Sequence, residues 1–245
     1  MPNWQHVTGK SPKNVCIVAC GPTTQEWLSG NMPYDRAYGR PDEVWLVNKG
    51  ARTLRGDLVF VMDELVGEGL KSQQYAEDLR ALKVPIITSI VDSQTRQMYP
   101  DNDLHTYPIG EVYAFHGTRI LRNMGYALEW IQANKHEVAH AAVTYCGYLH
   151  NSIPYMLAYA AFIGVKKVGL FGADETFPGQ MAREDDRANC EYWVGMLRGQ
   201  GIQVVVPPTT TLLNTRSNLP LYGYGTRQPV VDMPTDEQIA AAYGG

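Results

Sequence analysis

Cysteine is scarce in this chain: four in 245 residues, at Cys16, Cys20, Cys146 and Cys190. None forms a Cys-x-x-Cys pair, so the sequence offers neither a zinc pattern nor a disulfide framework. Buried free thiols are expected, with Cys16 and Cys20 on one face of the first strand. A surplus of one charge is also missing. The formal net charge is −4 with no block of like charges, which argues against a general polyanion binder while leaving room for a local basic groove. No apolar run reaches the roughly 20 residues of a membrane span, and no apolar signal core opens the chain, so a cytoplasmic protein without a membrane partner is expected. Internal repeats are absent. So are both familiar phosphate loops, Gly-x-Gly-x-x-Gly and the Walker sequence.

What is present is a series of short apolar strands separated by helical segments. The first, Asn14 to Cys20, ends at Gly21-Pro22-Thr23-Thr24 and leads into a helix-compatible stretch from Gln25 to Leu28. Further strands are predicted at Glu43–Val47, Asp57–Met62, Val84–Thr88, Lys167–Phe171 and Ile202–Val206. Helices are predicted at Ser72–Leu82, Asn151–Ile163 and Arg183–Arg198. Near-continuous apolar strands belong to a parallel sheet buried on both faces. Their alternation with helices points to an α/β fold: a doubly wound, mostly parallel Rossmann-like sheet. A single domain over residues 1–245 is expected. Residues 89–145 form a less regular insertion or cap, and 207–245 a tail wrapping the surface.

Ligands of such sheets bind at the carboxyl ends of the strands. Four predicted strands end there in polar or glycine residues: Gly21-Pro22-Thr23, Asn48-Lys49, Asp63-Glu64 and Gly172-Ala173-Asp174-Glu175. Gly21 allows close backbone approach and Pro22 fixes the turn. Thr23 or Thr24 can cap the helix, whose free N–H groups favour a phosphate. Asn48 can read a base or ribose through its amide, and Lys49 can meet a phosphate. Asp63 and Asp174 can accept bonds from sugar hydroxyls or act as a base. Asn151 or Ser152 can cap the next helix, leaving amides for an anion, and His150 just before it is a candidate base, as is His116. Glu184, Arg187, Glu191 and Arg198 recur at helical spacing. A solvated ion-paired face accounts for them, although Arg187 can also reach a phosphate. Asp101-Asn102-Asp103 matches a metal-binding Asp-x-Asp by letter but follows Tyr-Pro rather than a strand end, so no metal site is assigned to it.

Taken together, the Gly21-Pro22-Thr23-Thr24 turn, the strand ends at Asn48 and Asp63, and the segment from Asn151-Ser152 through Gly164 to Phe171-Gly172-Ala173-Asp174 resemble Rossmann-like proteins of the DUF115 group. That group includes the archaeal hydroxymethylpterin pyrophosphokinases. The layout is also similar to bacterial sialyltransferases that use CMP-sialic acid. The later residues Glu184, Arg187, Tyr192, Gly195 and Arg198-Gly199 resemble proteins of tailed bacteriophages. The resemblance covers roughly residues 14–63 and 145–215. In those relatives the first turn reads Gly-x-Gly-Pro-Ser. Here Ala19 replaces the first glycine, and its Cβ crowds a closely approaching phosphate.

The resemblance implies a transferase that uses an activated nucleotide donor, most of all a nucleotide-sugar glycosyltransferase. It places Gly21, Pro22, Thr23 and Asn48 on the nucleotide and Gly172 and Asp174 on the opposite wall. In that reading Thr23, Thr24 and the helix start at Asn151-Ser152 bind the donor phosphates. His150 or Asp174 deprotonates the acceptor hydroxyl, and Arg187 or Lys49 neutralises the leaving phosphate. If the protein is phage-encoded and acts in the host cytoplasm, hydroxymethylated pyrimidines of DNA, flipped out of the helix, are one acceptor; the net charge of −4 weighs against DNA, and surface or small-molecule acceptors stay open. Two other readings stay open. One is a diphosphotransferase with a divalent metal on carboxylates such as Asp63 and Asp174. The other is a non-catalytic protein that binds or sequesters a nucleotide.

Overall fold

A computed structural model describes residues 5–29, 40–174 and 184–213; the side chains of Lys49, Glu184 and Asp185 lie outside that description, as does the tail beyond 213. Seven strands are found among the described residues: β1 (Asn14–Val18), β2 (Glu43–Val47), β3 (Leu58–Val61), β4 (Ile86–Thr88), β5 (Leu104–Thr106), β6 (Lys167–Phe171) and β7 (Gln203–Val205). They form one sheet in the order β5-β4-β3-β2-β1-β6-β7. Every neighbouring pair is parallel. The helices are α1 (Thr24–Ser29), α2 (Leu65–Lys71), α3 (Gln73–Arg80), α4 (Ser93–Met98), α5 (Ile109–Asn123), α6 (Leu128–Ala133), α7 (Lys135–Cys146), α8 (Ser152–Phe162) and α9 (Glu184–Gly199). This is the doubly wound α/β fold expected from the strand pattern. The sheet is wholly parallel.

The alternation of side chains explains why the strands read as apolar throughout. Cys16 and Val18 of β1 and Val59 and Val61 of β3 point to one face, where they pack with Leu65, Tyr75, Leu79 and Tyr99. The intervening Trp45 and Phe60 point to the other face and meet the Tyr159 ring of α8 at 5.7 and 5.5 Å. Cys16 and Cys146 are buried, and burial pushes the Cys146 thiol up to about 12. Cys20 departs from the expectation. β1 ends at Val18, so Cys20 lies beyond the strand and is exposed.

Residues between Thr88 and Tyr145, where no periodic strand or helix is expected, hold α4, β5, α5, α6 and most of α7. β5 adds the edge strand beside β4. α5 packs on α7. A Cβ at Gly117 would collide with the Val138 carbonyl, so this glycine lets the two helices approach.

Two buried polar groups fix the layers. Glu43 accepts hydrogen bonds from the Trp45 indole (2.8 Å), the Thr8 hydroxyl (2.5 Å) and His6 Nε2 (2.9 Å). The Tyr159 hydroxyl then donates to His6 Nδ1 at 2.9 Å, tying the segment before β1 to the sheet and to α8. Burial works to raise the Glu43 carboxyl, but the bonds from His6, Thr8 and Trp45 outweigh it and hold it below its usual range.

His116 is the second group, and it is a core residue rather than a base. Its Nε2 donates to the Ala158 carbonyl at 3.0 Å and its ring stands edge-on to Trp193 at 5.0 Å. Burial lowers it from 6.5 to about 4. Between those values the unfolded chain takes up a proton that the folded chain refuses. The stability present above the upper value is therefore lost as pH falls through the lower one. The loss amounts to something on the order of 3 kcal/mol. Urea titrations of the wild type should show the midpoint falling from pH 7 to pH 4, and His116→Leu should flatten that slope. An unchanged slope in the variant would contradict the assignment.

Candidate functional site at the carboxyl edge of the sheet

The chain runs outward from β1 through β2, β3, β4 and β5, then returns to place β6 on the other side of β1. The strand order thus reverses between β1 and β6, which is where doubly wound sheets bind ligands. Most of the residues that the sequence singles out gather at this edge, in two nodes.

The first node joins the ends of β1 and β6. Their ladder continues beyond the strands: the Ala19 amide donates to the Phe171 carbonyl and the Gly21 amide to the Gly172 carbonyl, both at 2.8 Å. Asp174, only 1% exposed, accepts the Thr23 amide at 2.8 Å and the Thr23 hydroxyl at 2.9 Å on one oxygen, Oδ2. The same Thr23 hydroxyl accepts from the Gly172 amide at 2.8 Å. Both glycines are required by this closeness. A Cβ on Gly21 would stand 2.6 Å from the Gly172 carbonyl oxygen and 2.7 Å from Asp174 Oδ2. Gly172 has φ of +69° and faces Ala19 and Thr24.

This arrangement corrects the expected capping. Neither threonine hydroxyl caps α1: that of Thr23 serves Asp174 and Gly172, and that of Thr24 donates to the Ala19 carbonyl at 2.6 Å. The Gly21 and Thr23 amides, expected to be free for a phosphate, are taken by a carbonyl and by the chain's own carboxylate. A carboxylate at a helix start is favoured by the same dipole that favours phosphate. The other oxygen of Asp174, Oδ1, is buried and has no hydrogen-bond partner among the described residues.

The second node joins the ends of β2 and β3 to the start of α8. Asn48 stands at the end of β2 with φ of +43°, a left-handed conformation that asparagine tolerates better than most residues. Its amide Nδ2 donates to Asp63 at 2.9 Å, and the Ser152 hydroxyl donates to its Oδ1 at 3.4 Å. The half-buried amide is therefore oriented from both sides. One N–H and one lone pair of it are not used by either bond.

Asn151 caps α8 as its residue type predicts, accepting the Ile153 amide at 3.0 Å. Its own amide reaches the Asp186 carbonyl at 3.3 Å and Cys190 at 3.7 Å, which joins the start of α8 to α9. His150, just before the cap, is exposed. No hydrogen bond or ion pair joins it to Asp174 among the described residues. Arg187 lies 3.9 Å from Glu191 on α9, the helical ion pair expected from spacing. The Lys49 side chain is outside the described residues.

The two aspartates proposed as a metal pair lie in different nodes, one bonded to Thr23 and the other to Asn48. Among the described residues no cluster of three or more His, Cys, Asp or Glu side chains has a metal-binding arrangement. Asp101-Asn102-Asp103 sits at the amino end of β5, the opposite edge of the sheet. There Asn102 donates to the Leu79 and Leu82 carbonyls at 2.9 and 3.3 Å, closing the end of α3. Wide cavities also lie elsewhere. A groove of about 1790 Å³ runs between Lys10–Pro12, α5 and α7, and a cavity of about 450 Å³ is lined by His6, His105 and Thr106. Neither contains a residue of the two nodes. No helix among the described residues is long and apolar enough to cross a membrane.

No family model matches this chain, and no curated protein matches it in sequence. Among solved structures it is similar to the sialyltransferase CstII from Campylobacter jejuni in complex with the substrate analogue CMP-3FNeuAc. Identity there is 16% and the TM-score 0.43, over 82% of this chain and 83% of that one. The same values hold for the CstII complex with cytidine-5'-monophosphate. A substituted CST-II in complex with CMP gives 15% identity and a TM-score of 0.44, over 82% and 84%. The chemistry of the site in this chain therefore stands on its own residues.

Proposed function

We propose that this protein is a transferase that binds a nucleotide sugar at the carboxyl edge of its sheet and passes the sugar to an acceptor hydroxyl. The observation that carries the reading is Asn48: a half-buried amide, held by Asp63 and Ser152, beside the point where the strand order reverses. Its remaining donor and acceptor match the hydrogen-bonding edge of a base. Gly21, Pro22, Thr23 and Gly172 form the rigid floor. Asp174, buried against Thr23, braces that floor from beneath. The phosphates are assigned to the start of α8 at Asn151-Ser152, with Arg187 or Lys49 as the neutralising cation.

In the transfer step the acceptor oxygen forms a bond to the anomeric carbon as the bond from that carbon to the phosphate oxygen breaks. The acceptor proton goes to His150, and the nucleotide leaves with the electron pair. Asp174 is buried in the clasp with Thr23, so the base role falls to the exposed His150. The hydroxymethyl group of a modified pyrimidine in DNA is the acceptor proposed, reached by flipping the base.

The test is a thermal-shift panel of nucleotides and nucleotide sugars. At about 100-fold excess over Kd, the right donor contributes roughly 2.7 kcal/mol and raises Tm by about 5–10 °C. That donor is then offered with hydroxymethylcytosine DNA and with simple sugars. A panel that leaves Tm unmoved throughout contradicts the proposal.

A further inference from the structure

The groove of about 1790 Å³ between Lys10–Pro12, α5 and α7 shares no residue with the two nodes. Its two helices run antiparallel. Gly117 of α5 lies against the Val138 carbonyl of α7. One turn earlier on α5, burial raises the Tyr113 phenol, with Tyr155 and Cys146 adding to the rise, and Cys146 is the last residue of α7. The end of α5 therefore meets the start of α7, and the start of α5 meets the far half of α7. The lining is segregated along that axis. Arg119, Arg122 and Lys135 stand at one end. None of the three makes an ion pair among the described residues. Arg119 is steadied by the Gln200 carbonyl, to which it donates at 2.9 Å. Towards the other end the walls are Tyr113, Ala114, Ala139 and Val143. Phe115, whose ring meets Phe162 of α8 at 5.8 Å, lies between. A further cation of the lining, Lys10, is already paired with Asp57 at 3.1 Å. Glu111, the one carboxylate among the described lining residues, is at the apolar end.

We propose that this groove binds a free single-chain anionic amphiphile, a long-chain carboxylate, with its head on Arg119, Arg122 and Lys135 and its tail running past Phe115 towards Val143. The argument is charge complementarity combined with segregation. Three cations without carboxylate partners, in a chain of formal net charge −4, accept an anionic head through charge-assisted hydrogen bonds, for which a guanidinium is well shaped. The apolar stretch beyond them excludes a second charge, and Glu111 at its far tip repels a carboxylate entering the wrong way round. From Gly110 to Arg122 the helix extends roughly 18 Å, the reach of a long acyl chain. An acidic peptide helix would instead need cations spread along its whole length, because its carboxylates recur at every turn. The inference goes beyond the nucleotide reading and does not depend on it.

The experiment is calorimetric titration below micelle-forming concentrations. The probes are decanoate, dodecanoate and tetradecanoate, with tetradecylamine as the same tail under the opposite charge. Wild type is compared with the double variant Arg122→Gln, Lys135→Gln and with Val143→Glu. All three positions are exposed, so thermal melts of the variants should match the wild type. The wild type should bind tetradecanoate one-to-one, with Kd falling by about 2- to 4-fold for each added methylene. Tetradecylamine should bind at least about 10-fold more weakly. The double variant should raise the Kd of every carboxylate by about 10-fold, and Val143→Glu should weaken tetradecanoate more than decanoate. No binding of the carboxylates, a Kd independent of chain length, equal binding of amine and carboxylate, or a double variant that binds like the wild type would overturn the proposal. So would tighter binding to phosphatidylglycerol vesicles, or to an amphipathic Leu/Glu peptide, than to the free carboxylates; the groove would then be a membrane or protein dock. Any of these results leaves the nucleotide reading standing, because the groove and the nodes share no residue.

Discussion

Gly172→Ala should be among the most destabilising single substitutions in this protein, lowering Tm by about 6–12 °C. The residue has φ of +69°, and an added Cβ would stand 2.5 Å from the Ala19 carbonyl oxygen. The left-handed conformation alone costs a residue with a side chain about 1–2 kcal/mol. The rest arises because the obstacle is backbone, which moves only if β1 and β6 separate. Their separation breaks the ladder from Gly21 to Gly172 and the Thr23–Asp174 clasp together, for a total of roughly 3 kcal/mol. Gly164→Ala is the matched control. Its φ is +84° with nothing within 4 Å of the added Cβ, so it should cost only the conformational part, about 1–2 kcal/mol. Thermal melts of both variants check the comparison. Equal losses would show that crowding at the β1–β6 junction is unimportant.

The second large effect is on turnover. His150→Ala should lower the rate of sugar transfer by roughly a hundredfold or more, the range for loss of a general base. His150 is exposed and precedes the cap residue Asn151, so the substitution should leave Tm and donor Kd nearly unchanged. Asp174→Ala should behave in the opposite way. It removes the acceptor for the Thr23 amide and hydroxyl in a buried position, and its first effect should be on stability. Steady-state kinetics with melts of the same two variants separate the roles. A His150→Ala enzyme with full turnover would remove His150 from the mechanism.

Much of this site was legible in the sequence because parallel strands put their ends on one edge. Once Gly21, Asn48, Asp63 and Asp174 are recognised as strand ends, the topology brings them together without further information. What pattern reading could not supply was which group meets which. Thr23 reads as a cap and Asp174 as a base, yet they bond to each other across about 150 residues, and only the β1–β6 pairing reveals it. The middle of the chain hid for a different reason. β5 is three residues, Leu104-His105-Thr106, paired on one side only among the described residues, too short to show an alternation. Gly117 sits within α5, where its missing side chain admits α7.

The central claim is that a nucleotide binds where Asn48 meets Asp63 and Ser152. Asn48→Gly tests it most directly, because glycine accepts φ of +43° without strain and the variant removes the amide alone. Calorimetric titration of the best nucleotide from the thermal-shift panel should show one-to-one binding to the wild type. In the variant, losing two hydrogen bonds to the base should raise Kd by roughly 10- to 100-fold with Tm little changed. Binding by Asn48→Gly as tight as that of the wild type would contradict the account.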